Sequence, residues 1–337
     1  MAVPEPATTY SEDVHVYNWS ELGIECIIED FSARRDDIAS ELTVNLDHPL
    51  YGGRLYSGRL LLIGPNSRRD VRKELEERFA EADWGGLLEQ VCNRSRERYR
   101  KGEPIIDLTT VEFRDRPRFL LEPFIVNGGI NIPFGDGKTA KSIFVLRKCV
   151  LLALQSGVRT LYLEWEDEPE THAERLEAIC VGLDVDPIVI RAMVHYQHRY
   201  AKLAESVREI RRAVAELAVS HVVVDSVGIA AGDPNDHGMI IDAMRAARSL
   251  GVSVSMIHHL PKDAKDKTKP FGSVYASNEA RLTWLFEKVQ DEGKDEMDLL
   301  LTNHAFNRGG LQPKQAYHLR FTNDGDEMIC VEFEKVG

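Results

Sequence analysis

The chain has 337 residues, 43% hydrophobic and 29% charged, and its 55 acidic against 42 basic side chains give a formal charge of −13. That length and balance suit a globular protein of up to two compact domains and exclude a disordered or fibrous chain. The acidity excludes a protein coated in phosphate-binding surface, because non-specific nucleic-acid affinity comes mainly from basic side chains, so any such contact is confined to local loops.

The opening Met1-Ala2-Val3-Pro4-Glu5-Pro6 lacks the basic stretch and apolar run of a secretory signal. The most apolar helical stretch, Ser142 to Leu154, is interrupted by Arg147 and Lys148, so a cytoplasmic protein without membrane association is expected. The cysteines at 26, 92, 149, 180 and 330 form no C-x-x-C pair, which points to reduced thiols rather than a zinc site or disulfide framework.

Residues 1–105 read as a small α+β accessory domain, with strands expected near Val14–Tyr17, Ile24–Ile28, Leu42–Asn45 and Arg59–Ile63. Ser67 and Asp70 have capping-box spacing, and Val71, Leu75 and Phe79 recur every fourth residue on one helical face. A second helix is expected from Trp84 to about Tyr99. The basic cluster Arg94, Arg96, Arg98, Arg100 and Lys101 reads as a solvated helix face, with phosphate contact as the alternative. Gly102, Pro104 and Pro117 break the following stretch, and residues 106–118 read as a linker.

From residue 119 to 337 strands alternate with helices, which calls for a mainly parallel sheet covered on both faces. Strands are expected at Gly129–Phe134, Thr160–Leu163, Met193–Tyr196, His221–Val224 and Val252–Ile257. Leu203, Val207, Ile210, Val214 and Leu217 make one apolar helical stripe. The tail segments Asp298–Thr302, Ala316–Phe321 and Met328–Phe333 read as antiparallel strands, with turns at Arg308-Gly309-Gly310 and Asn323-Asp324-Gly325.

The strand ending at Phe134 runs into Gly135-Asp136-Gly137-Lys138-Thr139-Ala140-Lys141-Ser142 and then an apolar helix that begins with Ile143. This is the strand, loop and helix context of a P-loop. Backbone N–H groups and a helix N-terminus attract phosphate, a lysine reaches its terminal oxygens, and a hydroxyl completes a Mg²⁺ shell. The register that uses Lys138-Thr139 puts the first glycine position on Ile132, inside the strand, so Lys141-Ser142 is the pair. Its one departure from G-x-x-x-x-G-K-[ST] is Ala140, which fits if its φ is negative. ATP and Mg²⁺ are the expected ligands.

A carboxylate on a neighbouring strand is the expected partner, and His221-Val222-Val223-Val224-Asp225 supplies it, with Asp225 placed for Mg²⁺ beside Ser142. The strand Thr160–Leu163 leads into Glu164-Trp165-Glu166-Asp167-Glu168, where a carboxylate next to the γ-phosphate polarises the attacking water. Acids in such a cluster also suit a helix N-terminus, and Pro169 begins one.

In this order of motifs the chain resembles the RecA-like ATPases, and within them the RepA-type hexameric helicases and phage-type replication ATPases. The resemblance spans residues 119 to 334. It rests on the P-loop, the acidic strand end followed by Arg175-Leu176, Asp225-Ser226, the run from Ile257 to Lys262, Gly272-Ser273 leading to Ala280–Trp284, and Asn307. It implies a RecA-like core with a C-terminal antiparallel hairpin, Glu166 as the catalytic glutamate and His259 as a polar sensor of the γ-phosphate. Arg175 is implied beside the purine, with a helix-surface position as the alternative.

The resemblance also implies a homo-oligomer, a hexameric ring or filament with ATP between subunits. A basic residue from the neighbour then reaches the γ-phosphate, and Arg281 and Arg308 are the candidates. Ala305 stands where the family often has a lysine. In such motors the loops after the fourth and fifth core strands face the channel. The second carries Lys262, Lys265, Lys267 and Lys269 against Asp263 and Asp266, either a contact for single-stranded DNA or a solvated loop. The expected function is a DNA-acting helicase or recombinase-type ATPase; the alternative is a RecA-fold regulatory or protein-remodelling ATPase that binds no nucleic acid. No N-K-x-D follows Asp225 and no L-S-G-G-Q occurs, which argues against a GTPase and an ABC ATPase.

Overall fold

The computed structural model describes residues 3–10, 14–48, 52–102, 105–111, 118–233, 236–260, 279–290, 294–306 and 314–336. The chain divides into two compact units, Met1–Phe113 and Arg114–Gly337.

The first unit is an antiparallel meander of β1 (Ala7–Tyr10), β2 (Val14–Trp19), β3 (Ile24–Ala33), β4 (Ile38–Leu46) and β5 (Gly53–Leu61), followed by α1 (Pro65–Arg78) and α2 (Trp84–Lys101). Alternation, strict in β2 and partial in β3 and β4, drives it: Tyr17, Trp19, Ile28, Leu42 and Val44 turn inward against Val71, Leu75, Trp84, Leu88 and Val91 of the helices. Strand β1 was not among the expected strands. The expected capping box does not form either, because Pro65 starts α1 two residues earlier, with Gly64 at the N-cap. Ser67 lies inside the helix, where its Oγ accepts the Leu61 N–H at 3.0 Å. A proline at the first helical position needs no donor partner and carries a preset φ, so it wins over the downstream serine.

The second unit opens with the small hairpin β6 (Phe119–Leu121) and β7 (Ile125–Val126). Its strands and helices then follow as β8 (Ile130–Gly135), α3 (Lys141–Ser156), β9 (Thr160–Glu164), α4 (Pro169–Gly182), α5 (Pro187–Arg191), β10 (Val194–His198) and α6 (Leu203–Glu216). After these come β11 (His221–Asp225), α7 (Val227–Ala231), α8 (His237–Ser249), β12 (Ser253–Met256), β13 (His258–His259) and β14 (Leu282–Val289). The chain closes with β15 (Glu296–Phe306), β16 (Gln315–Asp324) and β17 (Glu327–Val336). One sheet runs β10-β9-β11-β12-β8-β14-β15-β16-β17, with β13 also beside β8. It is parallel from β10 to β14 and antiparallel from β14 onward.

Both faces of the parallel part are covered, as the alternation of strands and helices requires. One face packs Ile132, Phe134, Leu163, Val222 and Val224 against α6 and α8. The other packs Tyr162 and Val223 against Val145, Cys149, Leu176 and Ile179 of α3 and α4. In α6 the apolar stripe is inward, with Leu203, Ile210 and Val214 buried. Strand β14 was not expected. Leu282 to Phe286 is buried on both faces, so the run shows no period of two to mark it as a strand.

The two charged residues that interrupt the apolar run of α3 differ in burial: Arg147 is half-buried and Lys148 is buried. Lys148 is only 4% exposed, with its ammonium 4.1 Å from the Phe124 ring centre and 4.2 Å from that of Phe144. The ring faces supply the negative potential that water otherwise gives a lysine. No helix among the described residues is long and apolar enough to cross a membrane, which says nothing of a β-barrel.

Candidate nucleotide site

Strands β8, β9 and β11 run in the same direction, so their C-terminal ends gather three functional segments at one edge of the sheet. Gly135 closes β8 opposite Phe286 of β14. A Cβ on Gly135 would lie 2.4 Å from the Phe286 carbonyl oxygen, so only glycine lets the two strands approach there.

The loop then turns through two left-handed residues, Lys138 at φ 59° and Ala140 at φ 53°. The condition under which Ala140 fits the motif, a negative φ, is not met, because the tight turn into α3 places its N-cap residue in the left-handed region. An alanine held there is strained by roughly 1–2 kcal/mol, and alanine is also a poor N-cap. Ala140→Gly is therefore expected to raise the unfolding free energy by about 1 kcal/mol, net of the extra freedom glycine has when unfolded. Denaturant titration of both proteins checks this; an unchanged or lower midpoint would refute the strain.

Lys141 is 4% exposed. Its Nζ donates to the Asp136 carbonyl at 2.6 Å, to Thr139 Oγ1 at 3.1 Å and to the Gly135 carbonyl at 3.2 Å. Burial pulls its pKa down to about 8, opposed by the carboxylates of Asp225, Asp136 and Glu166. Thr139 Oγ1 in turn donates to the Asp136 carbonyl at 2.9 Å.

Across the cleft, Asp225 is 6% exposed and follows β11 register to lie beside Glu164 of β9. Tyr162 Oη donates to Asp225 Oδ2 at 2.8 Å. Burial raises the Asp225 pKa, opposed by side-chain hydrogen bonds from Ser142 and Tyr162. Ser142 and Asp225 thus bring two hard oxygen donors together, the donor type Mg²⁺ takes, and these residues fit that ion.

Glu166 is exposed at the rim, and its Oε1 accepts a hydrogen bond from Ser226 Oγ at 2.6 Å. The Asp225–Ser226 peptide is cis. Glu164, 2% exposed, has its carboxyl pushed up to about 8 by burial and then by the neighbouring Asp225. His259 sits at the end of β13 opposite Gly135, where burial lowers its pKa and Lys141 adds to the effect.

A cleft of about 370 Å³ joins these groups and is lined by Lys138 to Ile143, Glu164, Glu166, Asp167, Arg175, Asp225, His259, Met297 and Phe321. Arg175 stands at its edge in an ion pair with Asp167, so this arginine faces the cleft rather than open solvent alone. Gly137 belongs to the same loop and Asp136 is exposed on it.

Arg281 is not brought to this cleft. Its N–H bonds to the Ile130 carbonyl, at the opposite end of β8 from Gly135, so a part in catalysis requires a neighbouring copy. Arg308, Asn307, Lys262, Lys265, Lys267 and Lys269 lie outside the described residues.

Sequence reasoning assigned no role to Tyr162, Ser226, Glu164, Met297 or Phe321. Ser226 had a signal, since it directly follows Asp225. Met297 and Phe321 had none, because only the antiparallel extension of the sheet carries them back to the P-loop.

Residues 99–265 match the family described as an AAA domain. No curated protein matches the chain. Among solved structures, a KaiC-like protein from the hyperthermophilic archaeon Pyrococcus horikoshii OT3 is similar at 11% identity, covering 62% of this chain and 91% of that one with a TM-score of 0.46.

Proposed function

We propose that this chain, a RecA-like P-loop ATPase, hydrolyses ATP in the cleft between β8, β9 and β11 and uses the cycle to act on DNA. The observation that carries the hydrolysis is the convergence of Lys141, Ser142, Asp225 and Glu166 on one cleft. In this reading the loop N–H groups and the start of α3 bind the phosphates, and Lys141 leaves its own loop carbonyls to neutralise the γ-phosphate. Ser142 and Asp225 hold Mg²⁺, which when bound offsets the charge of the β and γ oxygens. Glu166, its carboxylate oriented by Ser226, accepts the proton of the attacking water. His259 at the β13 end senses the terminal phosphate, and Arg175 with Phe321 flanks the base.

Assembly into a ring or filament of the RepA-helicase kind completes this reading, with Arg281 or Arg308 of one copy serving the nucleotide of the next. The lysines at 262, 265, 267 and 269 are the proposed single-stranded DNA contact. ATPase rates with and without a single-stranded oligonucleotide, measured alongside mass in solution, test the proposal. DNA-stimulated turnover in an oligomer, with the stimulation lost when those four lysines are replaced, is the expected result. An unstimulated ATPase that binds no oligonucleotide would instead favour the regulatory or protein-remodelling reading, which the charge of −13 supports.

A further inference from the structure

Glu164 is a costly residue for its place. It closes a strand whose five positions are all buried, and β9 register sets it directly beside Asp225. A carboxyl there is stripped of water and faces a like group, two effects that both oppose its charge. An apolar residue would fill the same volume without either difficulty, so packing alone does not account for it.

What the carboxyl does is visible in its hydrogen bonds. Oε1 accepts the backbone N–H groups of Trp165 at 3.2 Å, Glu166 at 3.1 Å and Asp167 at 3.4 Å. The Trp165 N–H has a second acceptor in the Asp225 carbonyl at 2.9 Å. Among the described residues the N–H groups of Glu166 and Asp167 have only Glu164. The turn that carries Glu166 out of the sheet is therefore tied at its backbone by Glu164, while Ser226 Oγ holds the Glu166 side chain at 2.6 Å.

We infer that Glu164 is a positioning residue for hydrolysis: its side-chain oxygen anchors the Glu166 turn, so that the Glu166 carboxylate is held from its backbone and from its tip. The inference rests on the reading of Glu166 as the group that activates water. The property it requires is an acceptor oxygen at this position.

Three variants separate the alternatives, each read for steady-state kcat and for affinity towards a fluorescent mant-ATP probe. Glu164→Gln keeps a carbonyl oxygen for the three N–H groups and is expected to stay within about threefold of the parent kcat. Glu164→Met has similar length and no comparable acceptor. It is expected to lower kcat at least about tenfold with mant-ATP affinity unchanged, since a catalytic group displaced by 1 Å can lose on the order of 10²-fold. Parent-like kcat in Glu164→Met, a parallel loss of mant-ATP affinity, or a Glu164→Gln protein as slow as Glu164→Met would each overturn the inference. Should Glu164→Met fail to fold by circular dichroism, Glu164→Ala is read by the same criteria. Glu166→Gln is the control: normal turnover there sinks the reading of Glu166 itself, whereas a dead Glu166→Gln beside a normal Glu164→Met sinks only the role given to Glu164.

Discussion

Lys141→Ala is expected to reduce ATP turnover by about 10²- to 10³-fold, the range seen when one preorganised electrostatic group is removed from a transition state. The physical reason is the position of the ammonium: it is buried among loop carbonyls and its charge is set against Asp225, Asp136 and Glu166 together. Alanine leaves the phosphates facing those carboxylates without a counter-charge. Nucleotide affinity should fall as well, because the ammonium serves the ground state and the transition state alike. The fold should survive, since α3 keeps its apolar contacts through Phe144, Val145 and Cys149. Turnover is checked by phosphate release, with circular dichroism to verify folding. A folded Lys141→Ala protein hydrolysing ATP at the parent rate would remove Lys141 from the site.

Glu166→Gln should separate binding from chemistry. Glutamine keeps an oxygen for Ser226 Oγ to donate to, so the contact now at 2.6 Å survives, but it has no basicity for the attacking water. Hydrolysis is expected to drop by about 10²- to 10⁴-fold, while mant-ATP binding stays within about threefold. Single-turnover phosphate release beside equilibrium binding distinguishes the outcomes. Equal losses in both would mean that Glu166 contributes to nucleotide affinity rather than to the water. Ser226 sets the scale of the result, because the orientation it gives the carboxylate is retained in the variant.

These expectations rest on features of unequal legibility. The P-loop could be read because its chemistry is local: a strand end, a glycine, a lysine and a hydroxyl at fixed spacing, all within eight residues. Asp225 could be read because a run of valines ending in an acid is what a buried parallel strand beside a P-loop presents. The φ at Ala140 could not be read, since its sign is set by how the loop must enter α3 and the residue type does not reveal it. The Ser67 cap was wrong because Pro65, two residues earlier, had already fixed the start of α1.

Glu164 lay in plain view within an acidic run, yet nothing in the run told a solvated carboxylate from a buried one. That distinction comes from β11, 61 residues downstream in register, which brings Asp225 alongside. Phe321 and Met297 reach the cleft only because β14 extends the parallel sheet and reverses it into β15 and β16. Arg175 was left between purine and solvent, and its ion pair with Asp167 places it at the cleft.

The sequence by itself determined the alternation of strands and helices, the identity of the phosphate loop and the two carboxyl-bearing strand ends, because hydrophobic period and motif spacing act within a few residues of chain. The tertiary structure alone decided which of those carboxyls are buried, which oxygen ties down the Glu166 turn and which distant side chains wall the cleft. Those depend on strand order and register across the sheet, where contacts between residues far apart in the chain set solvation and hydrogen bonding.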